Sequence, residues 1–133
     1  MRIIDARIFR GPSIYAYRPV VRVTIDLGEL ERYPTTELGD FTDRLLQLIP
    51  TLDTHTCSYG EHGGFIRRMR EGTWLGHVIE HVAIELQCLA GTPVSYGKTR
   101  STGASRTSVW MNSDTVKCRA RFVSRAWSHD VTS

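Results

Sequence analysis

One amphipathic helix limits most strongly how this chain can fold. Residues 73–90 carry apolar side chains at helical spacing, with Thr73 as a candidate N-cap and with Gly91 and Pro93 directly after the segment. At about 100° per residue, the apolar side chains fall in one broad arc. The segment is therefore expected to pack that arc against another layer of the protein. The arc consists of Leu75, Val78, Ile79, Val82, Ala83, Leu86, Leu89 and Ala90.

The opposite half of the same helix carries a row of metal-binding residue types. His77, His81 and Glu85 are spaced i, i+4 and i+8, so they share one side, and Glu80 lies beside His77. Because this row lies off the apolar arc, packing in the core does not explain it. The pattern His-x-x-Glu-His is the one found in inverted zincins. A polar helix surface with incidental histidines is the alternative interpretation.

This spacing predicts a Zn²⁺ site with hydrolytic chemistry. Imidazoles at i and i+4 can converge on one ion at about 2.0–2.1 Å, so His77 and His81 are the predicted first ligands. Glu85 is the predicted third ligand, although it lies about 12 Å along the helix axis from His77. Glu80 is the predicted general base, which would accept a proton from water during hydrolysis of an amide or related bond.

A glycine-rich loop, residues 57–64, precedes this helix. Its three glycines within five positions allow positive φ angles and close backbone approach. Two interpretations stay open, a loop for substrate approach with His62 pointing inward and a tight turn that only needs glycine. His62 and Glu71 are also reserve candidates for the third metal ligand.

The remaining elements predict an α+β domain with a small antiparallel sheet and two or three packed helices. Residues 3–9 alternate with period two, and residues 20–27 are rich in β-branched side chains, so both read as strands. Residues 41–48 suit a short helix that ends before Pro50. Residues 65–70 alternate arginine with apolar side chains and are predicted to form a strand.

Composition narrows the location and the partners. The chain has 133 residues, which suits one domain, and it has neither a run of about 18 apolar residues nor a signal peptide, so a cytoplasmic location without a membrane span is expected. A formal charge of +3 permits an anionic partner but does not call for nucleic acid. The basic side chains form either a patch for substrate carboxylates or a solvated surface. They are Arg67, Arg68, Arg70, Lys98 and Arg100.

Several motifs together resemble the N-terminal domain of cyanophycin synthetases. The motifs are Ile8 to Ser13, Pro50 to Leu52, Cys57 to Phe65, Arg70 to Gln87, and Gly91 to Arg100. The resemblance covers residues 1–103. In that family the enzyme joins aspartate and arginine into a storage polypeptide, and its ATP-dependent ligase domains lie downstream. The resemblance implies a module that handles this polymer, with His62, Arg67, Arg70, Lys98 and Arg100 as substrate-binding residues, and with no ATP site in this chain.

The segment after residue 103 departs from the family pattern. Residues 104–133 contain no Gly, Pro, Leu, Ile, Glu, Gln or Tyr. Two hypotheses account for this composition, a diverged or disordered genuine terminus and a frameshifted gene. The predicted division is therefore a family-like domain at 1–103 and a separate tail at 104–133.

Two functions follow from these observations. The first is a module that binds an Asp/Arg polymer such as cyanophycin and cleaves it where a metal is bound. The alternative is an independent Zn²⁺-dependent, peptidase-like hydrolase that uses the His-x-x-Glu-His helix. The sequence leaves open whether the chain is an enzyme at all, and it allows a homo-oligomer.

Overall fold

Four strands and three α-helices form an α+β domain, in agreement with the fold class predicted from sequence. The computed structural model describes residues 1–10, 19–91, 94–101 and 106–113, and these counts refer to that part of the chain. None of the helices found there is long and apolar enough to cross a bilayer. The elements are β1 (Arg2–Phe9), β2 (Val20–Asp26), α1 (Phe41–Leu48), α2 (Gly64–Glu71), α3 (Leu75–Leu89), β3 (Val94–Ser101) and β4 (Arg106–Ser113), with 3-10 segments at Gly28–Arg32, Thr35–Glu37 and Pro50–Thr54.

The strands form one antiparallel sheet in the order β1-β2-β4-β3. The last strand in sequence, β4, is therefore interior and pairs on both sides. Val109 of β4 lies opposite Val23 of β2 and Thr99 of β3. Val109 is 1% exposed and clusters with Ile84 of α3, which places α3 on this face of the sheet.

Strand β4 also lies within the segment that was predicted to be a separate tail. Residues 106–113 form this strand, while residues 114–133 lie outside the described residues. The predicted boundary at residue 103 thus falls seven residues before Trp110, which the register places opposite Arg22 of β2. The division at 103/104 and the frameshift hypothesis stay predictions.

The prediction of a strand at residues 65–70 is wrong, because this segment belongs to α2. Phe65, Ile66 and Met69 are buried, at 0%, 4% and 0% exposure, and their i, i+1 and i+4 spacing puts them on one side of a helix. Gly72 ends the helix with a φ of 112°, a conformation that favours glycine. The helical spacing of the apolar residues therefore determines the secondary structure of this segment, and the partial alternation with arginine does not.

Two packed sides of α3 also correct the expectation that its histidines lie away from the core. One side faces the sheet, where Ile84 contacts Val109. The other faces α2, where the ring of Phe65 stacks on His81 with centroids 3.9 Å apart and an interplanar angle of 18°. His81 is consequently 0% exposed. A wheel that assumes one buried arc misplaces it, because α3 is covered from two directions.

Close contact between α3 and the sheet depends on Gly76. A Cβ atom at this position would lie 2.9 Å from Cγ2 of Thr107 and 3.2 Å from Cγ2 of Thr99. Such distances are shorter than van der Waals contact, so a side chain would force the helix and the sheet apart. Glycine here sets the depth at which the histidine-bearing helix lies on the sheet.

We expect Gly76→Ala to destabilise the domain by about 1–2 kcal/mol, because overpacking outweighs the gain in helix propensity of about 1 kcal/mol. Urea unfolding followed by circular dichroism measures the change. Adding Thr107→Ser, which removes the methyl group at 2.9 Å, should recover part of the loss. Unchanged or increased stability of Gly76→Ala would show that α3 is not held at contact distance.

Candidate metal centre

One helix and one loop place metal-binding side chains at one buried point. His77 and His81 lie one turn apart on α3, and Cys57 comes from the loop that follows the 3-10 segment Pro50–Thr54. Cys57 and His81 are both 0% exposed. The chain therefore builds this point from residues about 20 positions apart in sequence.

Local backbone geometry fixes the loop that carries Cys57. The amide of Gly63 donates to the carbonyl of Asp53 at 2.7 Å, and the amide of Phe65 donates to the carbonyl of His55 at 3.1 Å. A Cβ atom on Gly64 would lie 2.9 Å from the carbonyl oxygen of Cys57. Glycine at this position thus lets the first turn of α2 press directly against the loop and hold Cys57 toward α3.

The donor cluster consists of Cys57 Sγ, His77 Nε2 and His81 Nε2. Cys57 Sγ lies 3.1 Å from His77 Nε2, and His77 Nε2 lies 3.2 Å from His81 Nε2. All three atoms lie within 4.8 Å of one another. Three atoms with lone pairs therefore converge on a single point.

Each imidazole of the donor cluster is held from behind through its other nitrogen. His77 Nδ1 lies 2.9 Å from Oγ1 of Thr73, the residue predicted as N-cap, while Trp74 occupies the N-cap position without a side-chain cap bond. His81 Nδ1 lies 2.7 Å from His55 Nδ1. The chain of contacts continues from His55 Nε2 to Oε2 of Glu85 at 2.9 Å.

One assignment of protons satisfies the contacts behind the two rings and leaves both Nε2 atoms free to bind a cation. If Glu85 is ionised, His55 Nε2 donates to it, His55 Nδ1 accepts from His81 Nδ1, and His81 Nε2 keeps its lone pair. His77 Nδ1 likewise donates to Thr73, which leaves His77 Nε2 unprotonated. In the alternative, His77 Nε2 donates to His81 Nε2 and Oγ1 of Thr73 donates to His77 Nδ1, while His55 stays neutral; this arrangement also satisfies the contacts of a metal-free cluster.

Titration behaviour agrees with neutral imidazoles in the donor cluster. Burial, with a smaller contribution from the charge of Arg68, lowers the pKa of His77 to about 4. Burial holds the pKa of His81 well below its usual value, and the neighbouring rings of His77 and His55 lower this pKa further. Metal ligation needs the unprotonated ring, so both histidines are ready to bind at neutral pH.

The carboxylate behind the cluster is also in the required state. Partial burial works to raise the pKa of Glu85, but hydrogen bonds from Thr51 and His55 outweigh it, so the net shift is downward. Glu85 therefore stays ionised and can fix the tautomer of His55. Partners of this kind behind a metal-binding histidine orient the ring and raise its basicity.

The donor atoms suit Zn²⁺. A tetrahedral ion with Zn–N of about 2.0–2.1 Å and Zn–S of about 2.3 Å separates two nitrogens by roughly 3.3 Å and nitrogen from sulfur by roughly 3.6 Å. The spacings of 3.2 and 3.1 Å differ from these values by about half an ångström or less, whereas the three donor atoms as a set lie within 4.8 Å, so Cys57 Sγ and His81 Nε2 have to move closer around an ion. One sulfur and two imidazole nitrogens are common zinc donors, and a fourth position would remain for another ligand.

Neither carboxylate predicted from sequence joins the donor cluster. Glu85 lies behind His81, with His55 between them, and not beside the donor atoms. Glu80 is 4% exposed, and its carboxylate accepts a hydrogen bond from Oγ1 of Thr99 on β3. Burial raises the pKa of Glu80, against the opposing effect of Thr99. Its side chain thus lies on the side of α3 that faces the sheet.

Two of the side chains expected to bind substrate, His62 and Arg70, pair with carboxylates that do not belong to the donor cluster. His62 is exposed, with Nδ1 3.6 Å from Oδ2 of Asp53. Arg70 pairs with Asp43 at 3.2 Å. Lys98 and Arg100 lie on β3, but their side chains are outside the part of the structure that is described.

Arg67 is already engaged within its own domain. Its guanidinium donates to Glu71 at 3.0 Å and to Glu61 at 3.3 Å, and it lies 4.4 Å from the ring centroid of Tyr59. These contacts connect the glycine-rich loop to α2. A substrate carboxylate would have to compete with two existing carboxylates for this arginine.

Two residues of the centre, His55 and Cys57, are absent from the site predicted by helix periodicity. His55 precedes the glycine-rich loop and Cys57 is its first residue, and the two form His-x-Cys, a short pattern of two zinc donors that is the local signal for this part of the site. Periodicity could not connect them to α3, because the loop brings them back over more than 20 residues.

The depressed pKa values predict how acid destabilises the metal-free domain. The unfolded chain binds protons on histidine below about pH 6.5, while buried His77 resists protonation until about pH 4, so the stability due to His77 is lost as the pH falls through this window. The difference in free energy of unfolding between the parent and His77→Gln should therefore shrink from pH 6.5 to pH 4 in buffer with chelator. Parallel pH profiles for the two proteins would contradict this.

Comparisons with known proteins identify the family. The model of the cyanophycin synthase-like N-terminal domain matches residues 22–122, a range that reaches beyond residue 103. Curated relatives include the cyanophycin synthetases of Trichormus variabilis (strain ATCC 29413 / PCC 7937) and Crocosphaera subtropica (strain ATCC 51142 / BH68), at 44% and 41% identity over 104 residues.

The cyanophycin synthetase of Synechocystis sp. (strain ATCC 27184 / PCC 6803 / Kazusa) is 39% identical to this chain over 104 residues. In each case the alignment covers 77% of this chain, which spans only 12% of the relative's length. The resemblance seen in the sequence motifs is confirmed, and the chain belongs to the family of cyanophycin synthase-like N-terminal domains.

Proposed function

We propose that this domain binds Zn²⁺ at the donor cluster and hydrolyses an Asp/Arg polypeptide of the cyanophycin type. The observation that carries the proposal is the convergence of Cys57 Sγ, His77 Nε2 and His81 Nε2, with separations of 3.1 and 3.2 Å between neighbouring atoms. When bound by such a set, Zn²⁺ polarises a carbonyl group and makes water a stronger nucleophile.

The side chains around the cluster have separate tasks in this proposal. Thr73 and His55 hold the rings of His77 and His81 so that both Nε2 atoms face one point. Glu85 fixes the tautomer of His55. For Glu80 to act as the general base, its carboxylate has to turn from Thr99 toward the cluster, and its raised pKa suits a group that accepts a proton.

The substrate class comes from the family. The curated relatives are named cyanophycin synthetases, and this chain matches 12% of their length. We propose the same polymer as the ligand of this domain, and we assign no ATP-dependent ligation step to it. Arg70 and His62 are exposed candidates for contact with the charged side groups of the polymer.

A second candidate function is polymer binding around a metal that serves only the fold. Burial favours it, since Cys57 and His81 are both 0% exposed and Glu80 is held by Thr99. In that case the metal fastens the glycine-rich loop to α3, and the polymer binds at the exposed charged side chains. An assay for polymer cleavage distinguishes the two functions, because only the first function includes cleavage.

Metal content tests the site itself. Purified protein should contain about one zinc per chain by inductively coupled plasma mass spectrometry, and His81→Gln and Cys57→Ser should each lose most of it because each removes one of three donors. His62→Gln, which removes an exposed imidazole outside the cluster, is the matched control and should retain the metal. Equal zinc content in all four proteins would refute the assignment of the ligands.

A polymer assay then distinguishes cleavage from binding. Incubation with cyanophycin should create new chain ends, and Glu80→Gln should slow this by about 10²-fold or more while zinc content stays unchanged. For polymer binding alone, Arg70→Ala should weaken pull-down by the zinc-loaded protein, and neither protein should produce new chain ends. Zinc-loaded protein that retains the polymer without producing new ends would reject the hydrolase proposal in favour of the second function.

A further inference from the structure

An exposed apolar strip runs along β1, the strand at one end of the sheet. Ile3, Ile4 and Ile8 are 66%, 42% and 69% exposed. Only one edge of β1 is paired by a strand within the described residues, and that partner is β2. Among the described residues this strand therefore presents an outer edge and exposed isoleucines, two features through which another chain can pair with it.

The register of the sheet shows which face carries this strip. Ile3 and Ile8 lie opposite Ile25 and Val21 of β2, and Ile25 belongs to the core beneath α3. Asp5 and Arg7 lie opposite Thr24 and Arg22, on the other face. The strand therefore places Ile3 and Ile8 on one face of the sheet and Asp5 and Arg7 on the other face.

Few registers allow β1 to pair antiparallel with a second copy of itself. A twofold axis perpendicular to the sheet has to pass through one residue, since opposed side chains must share a face. An axis at Asp5 opposes two carboxylates, and an axis at Arg7 opposes two guanidinium groups. Both arrangements place like charges directly opposite and are unfavourable.

An axis through Ala6 is complementary along the regular part of the strand, residues 5–9. It places Asp5 opposite Arg7 of the second copy, twice by symmetry, and brings Ile8 beside Ile4, where the register of β1 shifts. The small side chain of Ala6 faces its own equivalent, so nothing bulky lies on the axis. The side chains of Arg7 and Asp5 are 65% and 33% exposed and already pair within one chain at 3.1 Å, so the crossed pairs replace an ion pair that each chain makes by itself.

We propose that two copies of this chain associate through antiparallel pairing of β1, with the twofold axis at Ala6, to form a continuous eight-stranded sheet. Paired isoleucines cover one face of the junction and crossed Asp5–Arg7 ion pairs cover the other. Asp5 already holds Arg22 at 2.9 Å within its own chain, so the carboxylate is positioned before the second copy binds. This dimer does not depend on the donor cluster or on the proposed hydrolysis.

A cross-linking experiment on the full 133-residue chain tests the register. Ala6→Cys places two thiols directly opposite each other, with Cβ atoms about 4.5–5.5 Å apart, so mild oxidation or a short thiol cross-linker should produce a covalent dimer. Ile3→Cys is the control, because residues 3 of the two copies lie roughly 20 Å apart in this register. Equal cross-linking of both variants, or none by Ala6→Cys, would overturn the proposed axis.

Charge reversal tests the ion pairs. Sedimentation velocity over a range of concentrations should show a monomer–dimer equilibrium, and Arg7→Glu should weaken dimerisation about tenfold or more because two ion pairs become like-charge pairs. Arg44→Glu, an exposed change on α1, should have no effect, and circular dichroism verifies that each variant is folded. A parent chain that stays monomeric at hundreds of micromolar, or an Arg7→Glu variant that dimerises as strongly as the parent, would refute the proposal.

Discussion

The contact between His55 and His81 connects the parts on which the site depends. His55 follows the 3-10 segment Pro50–Thr54, and His81 lies in the middle of α3, yet their Nδ1 atoms are 2.7 Å apart. This contact sets the direction of the His81 ring, and the stacked ring of Phe65 holds its plane. Together with the contact of Cys57 Sγ with His77 Nε2 at 3.1 Å, it connects the loop to the middle of α3.

Loss of one partner of this contact would destabilise the folded domain, because a buried nitrogen would be left without a hydrogen-bond partner. Buried imidazole nitrogens without partners lose their hydration and gain nothing in return, at about 1–3 kcal/mol each. In this domain both nitrogens of His55 and both of His81 have a partner within hydrogen-bond distance. The contact between the two Nε2 atoms of His77 and His81 differs from the others. When both rings carry their proton on Nδ1, neither Nε2 can donate, and a cation between the two atoms satisfies both.

Sequence reasoning succeeded where one local period dominates. The 3.6-residue period located α3, alternation located β1, and the run of β-branched residues located β2, because each of these patterns is a property of one segment alone. The same reasoning misjudged α2, where arginines interrupt the apolar residues, and it placed His81 in solvent. A single helical wheel cannot show that a helix is covered by a sheet on one side and by another helix on the opposite side.

The candidate site was only half visible from sequence for the same reason. His77 and His81 follow from i, i+4 spacing on a helix, which is a local property. Cys57 and His55 enter through the fold of a glycine-rich loop, and the contact of Gly64 with the Cys57 carbonyl that shapes this loop is a tertiary property. Glu85 contacts His55 and supports the ring of His81 indirectly, so it does not have the ligand role predicted for it. His55 lies outside α3, and a helical pattern therefore could not reveal this.

The identity of the metal ligands is the central claim, and X-ray absorption at the zinc edge of the zinc-loaded chain tests it most directly. The donor cluster predicts a first shell with one sulfur at about 2.3 Å and two imidazole nitrogens at about 2.0–2.1 Å. A first shell made only of nitrogen and oxygen would contradict it. That result would support instead the ligand set of two histidines and a glutamate expected from the helix alone.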